Sequence, residues 1–499
     1  MKIYFKFPNF FRRFFAEGAF NAAFVPQIAR CLANGDVQQG RLLAQALAQK
    51  VFSCLAWFLV GFVLMVEFTT PQLIPLLAPG FATTPERLEL AIQFTRITFP
   101  YILFISLSAL LAGVLNSLYH FAAAAAAPIL LNLIMIAALI LYPYTSLEPG
   151  FALCWSVFLA GLVQFSWLYW VCLQLDFKFW LKWPQLTADV KKILKLMVPG
   201  TIGAGVMQIN LFIDMMLASL LPIGSLSYLY YADRLNHLPL SIFGVAIGTA
   251  LLPSLSKCWR QGDVDKAFRQ QNIALNFALQ LTIPATIGLI VLSYPLIDLI
   301  FGHGHFQAND VKQTAPALAA FAFGLPAYVM GKVFATTYFA YEDTTTPVKV
   351  GLICIVTNLG LNLLFMPFFK HIGMAMATSI AAWLNTFLLA IFLRKRNLFS
   401  FPKALIFNTL KITVVALLMG ALLLYIQYWT PTLSLNSIFK VLKMMFLVGV
   451  GGVFYLVFGY SVGIRPLSQL KSEISYSTTK HQKLINRIQQ ISELKSVHH

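Results

Sequence analysis

Long runs of apolar residues alternate with short polar segments over most of the chain. A bilayer core of about 30 Å needs about 20 apolar residues in each helix that crosses it. Twelve stretches reach this length: residues 46–67, 97–119, 122–142, 150–173, 197–221, 225–252, 272–299, 314–338, 347–367, 372–393, 405–427 and 441–463. The pattern predicts an all-α polytopic membrane protein.

The composition agrees with this interpretation. Of the 499 residues, 59% are hydrophobic and only 11% are charged, and the mean hydropathy is +0.75. An ordinary soluble domain has about 25% charged residues. So few charges cannot cover the surface of a soluble protein of this size, which excludes a soluble enzyme, a disordered chain and a fibrous protein. The six cysteines have no paired or metal-like spacing and are interpreted as small apolar residues.

Positive charge is concentrated in alternate loops between the apolar stretches. The chain has 36 Lys and Arg against 18 Asp and Glu, a net charge of +18. In a soluble protein this excess would indicate nucleic acid, but in a membrane protein it is typical of cytoplasmic loops. We therefore expect no nucleic-acid partner and place the C-terminus in the cytoplasm. Lys440 and Lys443, at the outer start of the last stretch, are the main departure.

The chain contains an internal repeat. Residues 24–37 (FVPQIARCLANGDV) and 251–264 (LLPSLSKCWRQGDV) match at a constant offset of 227 residues without a gap. Both copies lie at a cytoplasmic boundary, so the repeat is parallel, as in transporters built from two like halves. The repeat predicts that residues 3–25 form a membrane helix equivalent to 230–252. Because 197–221 has no counterpart, a complete protein is expected to carry one more N-terminal helix, and this chain about 13 spans of 14.

The repeat also predicts the organisation of the chain. We expect an N-terminal lobe over residues 1–190 and a C-terminal lobe over 191–396. An extra pair of helices, 397–463, lies outside the repeat and is followed by a cytoplasmic tail, 464–499. In this tail, apolar residues among polar ones indicate a short amphipathic helix, and a solvated appendage is the alternative.

Ionisable residues within membrane spans are costly and mark functional sites by default. Arg234 lies in one apolar stretch, and Arg12 and Arg13 lie in the helix that the repeat makes its counterpart, with Glu17 beside them. Two such helices would place cations around one central cavity, where arginine suits phosphate because its planar fork can bind two oxygens. The alternative for Arg234 is a structural ion pair with Asp233.

Further polar residues lie in other spans. Lys332 could bind substrate or extend its amine to the membrane surface. Asp214, Asn358 and Asn362 are oxygen-bearing side chains, and the two asparagines share one helix face because they are four residues apart. They predict either hydrogen bonds between helices or a small-cation site for sodium coupling.

Two motifs resemble the MurJ (MviN) lipid II flippases of the MOP exporter superfamily. Residues 7–26 (FPNFFRRFFAEGAFNAAFVP) are similar to that family's signature after its second helix. Residues 227–257 (SYLYYADRLNHLPLSIFGVAIGTALLPSLSK) are similar to its eighth helix. Shorter matches are LAPGF at 77–81, ITFPYILFISL at 97–107 and TPVK at 346–349. The resemblance implies a MATE-like bundle of fourteen helices, with two six-helix lobes around a cationic cavity and a groove for a polyprenyl tail between the last two helices.

The resemblance also implies roles for individual residues. Arg12 and Arg234 fall on cavity arginines of the family, with Arg13 and Glu17 in the same motif as Arg12. A sodium site of some members falls near four residues of this chain: Asp214, Asn358, Asn362 and Thr378. Asn362 stands where a carboxylate can occur, and His237 where some members have an acidic residue. The family's first helix, expected to be missing here, carries further cavity arginines.

The sequence therefore predicts a transporter rather than an enzyme. We expect it to move lipid II, a peptidoglycan precursor on an undecaprenyl pyrophosphate carrier, from the cytoplasmic to the periplasmic leaflet of a bacterial inner membrane. Membrane lipids are the other expected partners, and a monomer is the expected state. No cofactor is expected; sodium is a candidate coupling ion, with protons and the membrane potential as alternative driving forces. The rival interpretations are another exporter of the superfamily, for lipid-linked oligosaccharides or for drugs and cations, and an inactive membrane scaffold.

Overall fold

The structure, a computed structural model, describes residues 19–34, 36–82, 84–430 and 437–464. All regular elements in these residues are helices. The chain divides into two compact units, Met1–Leu220 and Leu221–His499. Within the described residues, the first unit contains seven α-helices: α1 Ala19–Leu32, α2 Val37–Leu77, α3 Pro85–Thr98, α4 Tyr101–Ser117, α5 Phe121–Leu141, α6 Pro149–Gln174 and α7 Ala188–Ser219. Short 3₁₀ turns at Pro79–Phe81 and Tyr142–Tyr144 connect two pairs of them.

The second unit contains the remaining eight α-helices that the structure describes: α8 Ser225–Arg260, α9 Val264–Val291, α10 Ser293–Phe301, α11 Ala308–Phe323, α12 Leu325–Ala340, α13 Thr345–Lys395, α14 Lys403–Trp429 and α15 Ser437–Ser461. Lys370 interrupts α13 with φ 52° and ψ −131°, so two helical segments meet there. The break lies between the predicted stretches 347–367 and 372–393.

Nine helical segments of the described residues are long and apolar enough to cross a membrane. They include α2, α5, α6, α9, α13, α14 and residues Ile438–Ser461 of α15. The continuous segments Pro85–Ser117 and Ala308–Ala340 join two helices each. The all-helical, polytopic prediction is confirmed, whereas the number of spans and the lobe boundaries remain predictions.

The junction within the sequence repeat has the same architecture in both units. Pro26 lies inside α1 and Pro253 inside α8. After each helix a short turn leads to an aspartate, Asp36 or Asp263, directly before the next helix. The predicted superposition of residues 3–25 on 230–252 lies largely outside the described residues, which begin at residue 19.

The C-terminal ends of α4 in the first unit and α12 in the second also have the same geometry. Tyr119 and Glu342 both have φ 62° after α4 and α12. In each case the amide three residues past the last helical residue closes a 6→1 hydrogen bond, His120 to Leu115 at 2.8 Å and Asp343 to Tyr338 at 2.9 Å. This is a Schellman ending, which satisfies carbonyls that the helix leaves open. Matching ends in both units support a protein built from two like halves.

The motif LAPGF positions the end of α7. The Gly80 amide donates to the Ser219 hydroxyl at 3.2 Å. A Cβ atom built on Gly80 would lie 1.9 Å from the Ser219 carbonyl oxygen. Only glycine permits this close approach between the 3₁₀ turn and α7.

The two outer lysines that depart from the charge pattern have local partners. Lys440 Nζ on α15 lies 2.8 Å from Asp298 Oδ2 on α10. The Lys443 amine donates to the Thr430 carbonyl at the end of α14. These contacts tie α15 to α10 and α14, so both lysines have local structural partners.

Candidate functional site: a cationic helix face and a polar cluster

Arg234 lies near the start of α8, in the segment Tyr-Tyr-Ala-Asp-Arg. Its side chain is exposed, and the guanidinium carbon lies 4.8 Å from the centre of the Tyr230 ring. Residues four apart in a helix face the same way, and a guanidinium over a tyrosine ring gains a cation–π interaction. The ring therefore orients the guanidinium and leaves its N–H edges available.

Asp233 does not neutralise Arg234. Its carboxylate lies 3.3 Å from the imidazole of His237, one turn further along the same helix. Adjacent helical residues point about 100° apart, which favours a partner for Asp233 on another helix. Its partner is instead on α8 itself. Among the residues that the structure describes, Arg234 has no salt bridge with a carboxylate.

Lys332 on α12 lies across α8 at Gly244. A Cβ atom built on Gly244 would lie 2.9 Å from Lys332 Nζ and 3.0 Å from its Cδ. Lys332 is exposed, and no salt bridge to it occurs within the described ranges. The missing side chain at Gly244 therefore lets a second cation lie along α8.

These groups lie along one side of α8, which we call the cationic face: Arg234, His237 and Gly244 with Lys332 over it. Gly244 follows His237 by seven residues, close to two full turns, and the face extends over about 15 Å. The buried side of the same helix segment, Ala232 and Leu235, packs against α10 and α11. This packing keeps the opposite, charged side exposed.

The predicted sodium ligands of the second unit lie on α13. Asn358 and Asn362 are buried, and the Asn362 amide donates to Asn358 Oδ1 at 3.1 Å. Thr378, on the other side of the Lys370 break, donates to the Met374 carbonyl at 2.9 Å. The two asparagines share a face, as predicted from their spacing. All three side chains offer the oxygen donors that hard cations prefer.

The fourth predicted ligand, Asp214, lies on α7 in the first unit. Its side chain is half-buried, and Asn210 one turn earlier donates to Asp214 Oδ2 at 3.3 Å. Joint binding of one ion by Asp214 and the α13 residues remains a prediction. Arg12, Arg13 and Glu17 lie outside the described residues, so their place in a cavity also remains a prediction.

Sequence reasoning missed Tyr230 and Gly244. The spacing of Tyr230 and Arg234, four residues apart on a helix, was a usable signal for a cation–π pair. No comparable signal marks Gly244, because the contact with Lys332 depends on how α8 and α12 pack.

Comparison with solved structures identifies the fold. An inward-facing MATE family multidrug resistance transporter of the MOP superfamily matches with a TM-score of 0.67. That match covers 78% of this chain and 88% of that chain, at 15% sequence identity. The fold is that of a MOP superfamily transporter.

Closer similarities define the family. The family model "Lipid II flippase MurJ" matches residues 1–444. A probable lipid II flippase MurJ from Rickettsia prowazekii is 38% identical over 86% of this chain and 83% of its own length. One from Rhizobium tropici is 36% identical, over 92% and 88%. A solved lipid II flippase MurJ in an inward closed conformation matches with a TM-score of 0.73 and 27% identity, over 93% of this chain and 92% of that one. The chain belongs to the MurJ family of lipid II flippases.

Proposed function

We propose that this protein moves lipid II from the cytoplasmic to the periplasmic leaflet of the bacterial inner membrane by alternating access. It acts as a transporter and catalyses no chemical change in its substrate. Its C-terminus lies in the cytoplasm, on the side of the basic loops. Family membership and the exposed cationic face of α8 support this proposal.

The observation that carries the proposal is the state of Arg234. Its guanidinium is exposed, is oriented by Tyr230 at 4.8 Å and has no carboxylate partner among the described residues. Such a group can donate two parallel N–H bonds to a phosphate, which a lysine amine cannot do. A pyrophosphate-linked lipid therefore fits this face better than a cationic drug does.

Other residues extend the same binding surface. Lys332 adds a point charge, and we assign Arg12, Arg13 and Glu17 to the substrate cavity as well. His237 lies on the same face, where its imidazole contacts the Asp233 carboxylate at 3.3 Å. We also propose that sodium binds to Asp214, Asn358, Asn362 and Thr378 as a coupling ion, because their donors are oxygens.

Complementation of a flippase-depleted bacterial strain tests the role of Arg234. We expect Arg234→Ala to abolish growth at unchanged protein level, because the loss of a charge-assisted contact typically costs about 1.5–3 kcal/mol. Arg234→Lys should restore growth only in part, since it keeps the charge and loses the planar fork.

Arg260→Ala is the matched control, because Arg260 is an exposed arginine in the last turn of the same helix. This variant should support normal growth. Full growth of the Arg234→Ala strain would refute the phosphate-binding role and favour a structural one. Failure of the unaltered chain to support growth would count against the flippase proposal itself.

A further inference from the structure

An extended segment connects α6 to α7 in the first unit. Residues 177–187, which we call the strap, have no regular secondary structure. Phe177 and Phe179 are buried in the core of the unit, and the alternate residues Lys178 and Trp180 are exposed. This two-residue period is that of a strand, so one side of the strap packs on the unit and the other side faces outwards.

Polar side chains of α2 hold the backbone of the strap. They are spaced four residues apart on one side of the helix, and we call them the α2 ladder: Gln45, Gln49, Ser53 and Trp57. Gln49 contacts both backbone groups of Trp180, since its Oε1 accepts from the amide at 2.8 Å and its Nε2 donates to the carbonyl. Gln45 and Trp57 donate at 3.3 and 3.1 Å to two further carbonyls, those of Lys178 and Lys182. Four helical residues rise about 6 Å and two extended residues span about 6.6 Å, so the two registers match.

The strap crosses the end of the apolar run of α2. The predicted stretch 46–67 begins directly after Gln45 and contains the other three members of the ladder. At the edge of the hydrocarbon, irregular backbone is tolerated only where protein groups satisfy its polar atoms. The ladder supplies these groups and therefore lets the strap lie at that depth.

The second unit shows which side of α2 carries the strap. The repeat offset of 227 places α2 over α9, where three ladder positions become Asn272, Asn276 and Gln280. Helix α14 packs along this side of α9, because a Cβ atom built on Gly420 would lie 2.6 Å from Ile287 Cγ2, and Ile287 follows Gln280 by close to two turns. Helix α14 is long and apolar enough to cross a membrane and lies outside the repeat. This side is therefore the periphery of the repeated unit, and the strap occupies it in the first unit.

The outward side of the strap is aromatic and apolar. Trp180 is 63% exposed and Trp183 is 79% exposed, and two leucines are exposed with them, Leu181 and Leu186. The Trp183 ring stacks on Trp57 of the ladder, with ring centres 5.2 Å apart. Tryptophan is enriched where a protein passes from water into the bilayer, because its ring suits acyl chains and its N–H suits headgroups.

We propose that the strap is a membrane anchor of the first unit, seated between headgroups and acyl chains in the phospholipid leaflet on the side of the basic loops. Trp180 and Trp183 lie against the upper acyl chains. Lys182 is exposed and has no salt bridge among the described residues, so its amine extends to the lipid phosphates. This charge complementarity favours a phospholipid over an apolar protein partner. The inference goes beyond the proposed function, because it concerns how the unit is seated in the bilayer, whichever lipid it carries.

Tryptophan quenching in phosphatidylcholine nanodiscs tests the position of the strap. The difference in emission between the full chain and the double variant Trp180→Phe/Trp183→Phe isolates the two strap residues. We expect lipids brominated near the headgroup end of their chains to quench this difference more than aqueous iodide does. Stronger quenching by iodide would show a solvated loop and overturn the proposal. Trp259→Phe is the matched control: the Trp259 indole nitrogen is buried, so the emission lost in that variant should respond weakly to both quenchers.

Limited proteolysis supplies an independent result. Gln49→Ala removes the side chain that binds both backbone groups of Trp180, so it should release the strap and let trypsin cleave after Lys182 about tenfold faster than in the unaltered protein. Gln39→Ala is the matched control, because Gln39 is an exposed glutamine in the first turn of the same helix, and it should leave the rate unchanged. Equal cleavage of the Gln49→Ala variant and the unaltered protein would contradict a strap held on α2.

The two measurements are independent of each other and of transport. Should the double tryptophan variant fail to accumulate, proteolysis of the nanodisc-embedded protein still decides, because rapid cleavage after Lys182 in the unaltered chain would also overturn the proposal. Failure of the flippase assay leaves both tests intact.

Discussion

Gly244 is the position on α8 where the Lys332 side chain crosses the helix. Any side chain there meets the flexible end of Lys332, whose Nζ is 2.9 Å from a built Cβ atom. We expect Gly244→Ala to displace the amine at little cost in stability, because a lysine side chain can move aside. Complementation should be weakened while the melting temperature and protein level stay close to normal.

A double-mutant cycle separates this effect from unrelated damage to α8. Lys332→Ala should weaken complementation about as much as Gly244→Ala, and the double variant should be no worse than either single one, because both changes remove the same amine from the cationic face. Additive losses would show that Gly244 acts through something other than Lys332.

At the scale of residues, some features of the polar site could be predicted from the sequence and others could not. Arg234 could be singled out because arginine is rare in an apolar stretch and costly there. The pairing of Asn358 and Asn362 followed from their four-residue spacing. The pairing of Asp233 with His237 has the same four-residue spacing but was not predicted, because the carboxylate was expected to turn towards another helix.

At the scale of elements, hydrogen bonds of Asp343 connect the α12–α13 turn to both ends of α13. Asp343 Oδ1 accepts from the Thr345 and Thr346 amides at 2.9 and 3.0 Å. Its other oxygen accepts from the Thr346 hydroxyl at 2.6 Å and from Arg396. Burial raises the pKa of Asp343, but the hydrogen bonds from Thr346, Arg396 and Thr345 outweigh it and lower the pKa to about 2.

We therefore expect Asp343→Asn to lower the stability of the second unit. The loss should be about 1–2 kcal/mol, since Arg396 is half-exposed and its contribution is screened by solvent. Thermal unfolding in detergent measures it. Glu342→Gln is the matched control, because Glu342 is an exposed neighbour in the same turn.

The difference in stability between the unaltered protein and Asp343→Asn should depend on pH. The folded-state pKa of Asp343, about 2, lies below its ordinary value of 3.8. The stabilisation is therefore complete above about pH 4 and is lost as the pH falls towards 2. The difference in melting temperature between the unaltered protein and Asp343→Asn should shrink over that interval; a constant difference would contradict the assignment.

The helix pattern shows what sequence predicts well and poorly among elements. The break at Lys370 lies between two predicted stretches, because polar residues interrupt the apolar run there. The predicted stretch 314–338 is instead two helices, α11 and α12, that meet at Gly324, directly before Leu325 and Pro326. Apolarity continues across that joint, so hydropathy alone could not locate it.

At the scale of the whole molecule, the internal repeat was predictable because it preserves a Pro–Cys–Gly-Asp-Val pattern at one offset. The repeated Schellman endings add support that sequence could not provide, since different residues, Tyr119 and Glu342, adopt the same backbone conformation. The Lys440–Asp298 contact was also beyond prediction. It joins residues that are far apart in the sequence. Lys440 belongs to the extra helix pair, and Asp298 lies on α10, a short helix that hydropathy does not distinguish from the preceding α9.

The proposed sodium coupling belongs to the scale of the whole molecule, because its predicted ligands come from both units. We expect sodium to raise the melting temperature relative to potassium at equal ionic strength. Asp214→Asn and Asn362→Ala should remove that difference, while Thr357→Ala, which loses only a bond to the Ile353 carbonyl of its own helix, should retain it. Sodium-dependent stabilisation that survives Asp214→Asn would contradict a shared site.

The central claim is that this protein carries lipid II across the membrane through a phosphate contact at Arg234. The most direct measurement is the amount of newly made lipid II that a membrane-impermeant probe detects at the outer face of cells depleted of their own flippase. The account predicts that the unaltered chain and Arg260→Ala expose lipid II, and that Arg234→Ala leaves it inside at equal protein level. Equal exposure of lipid II in Arg234→Ala cells would contradict the account.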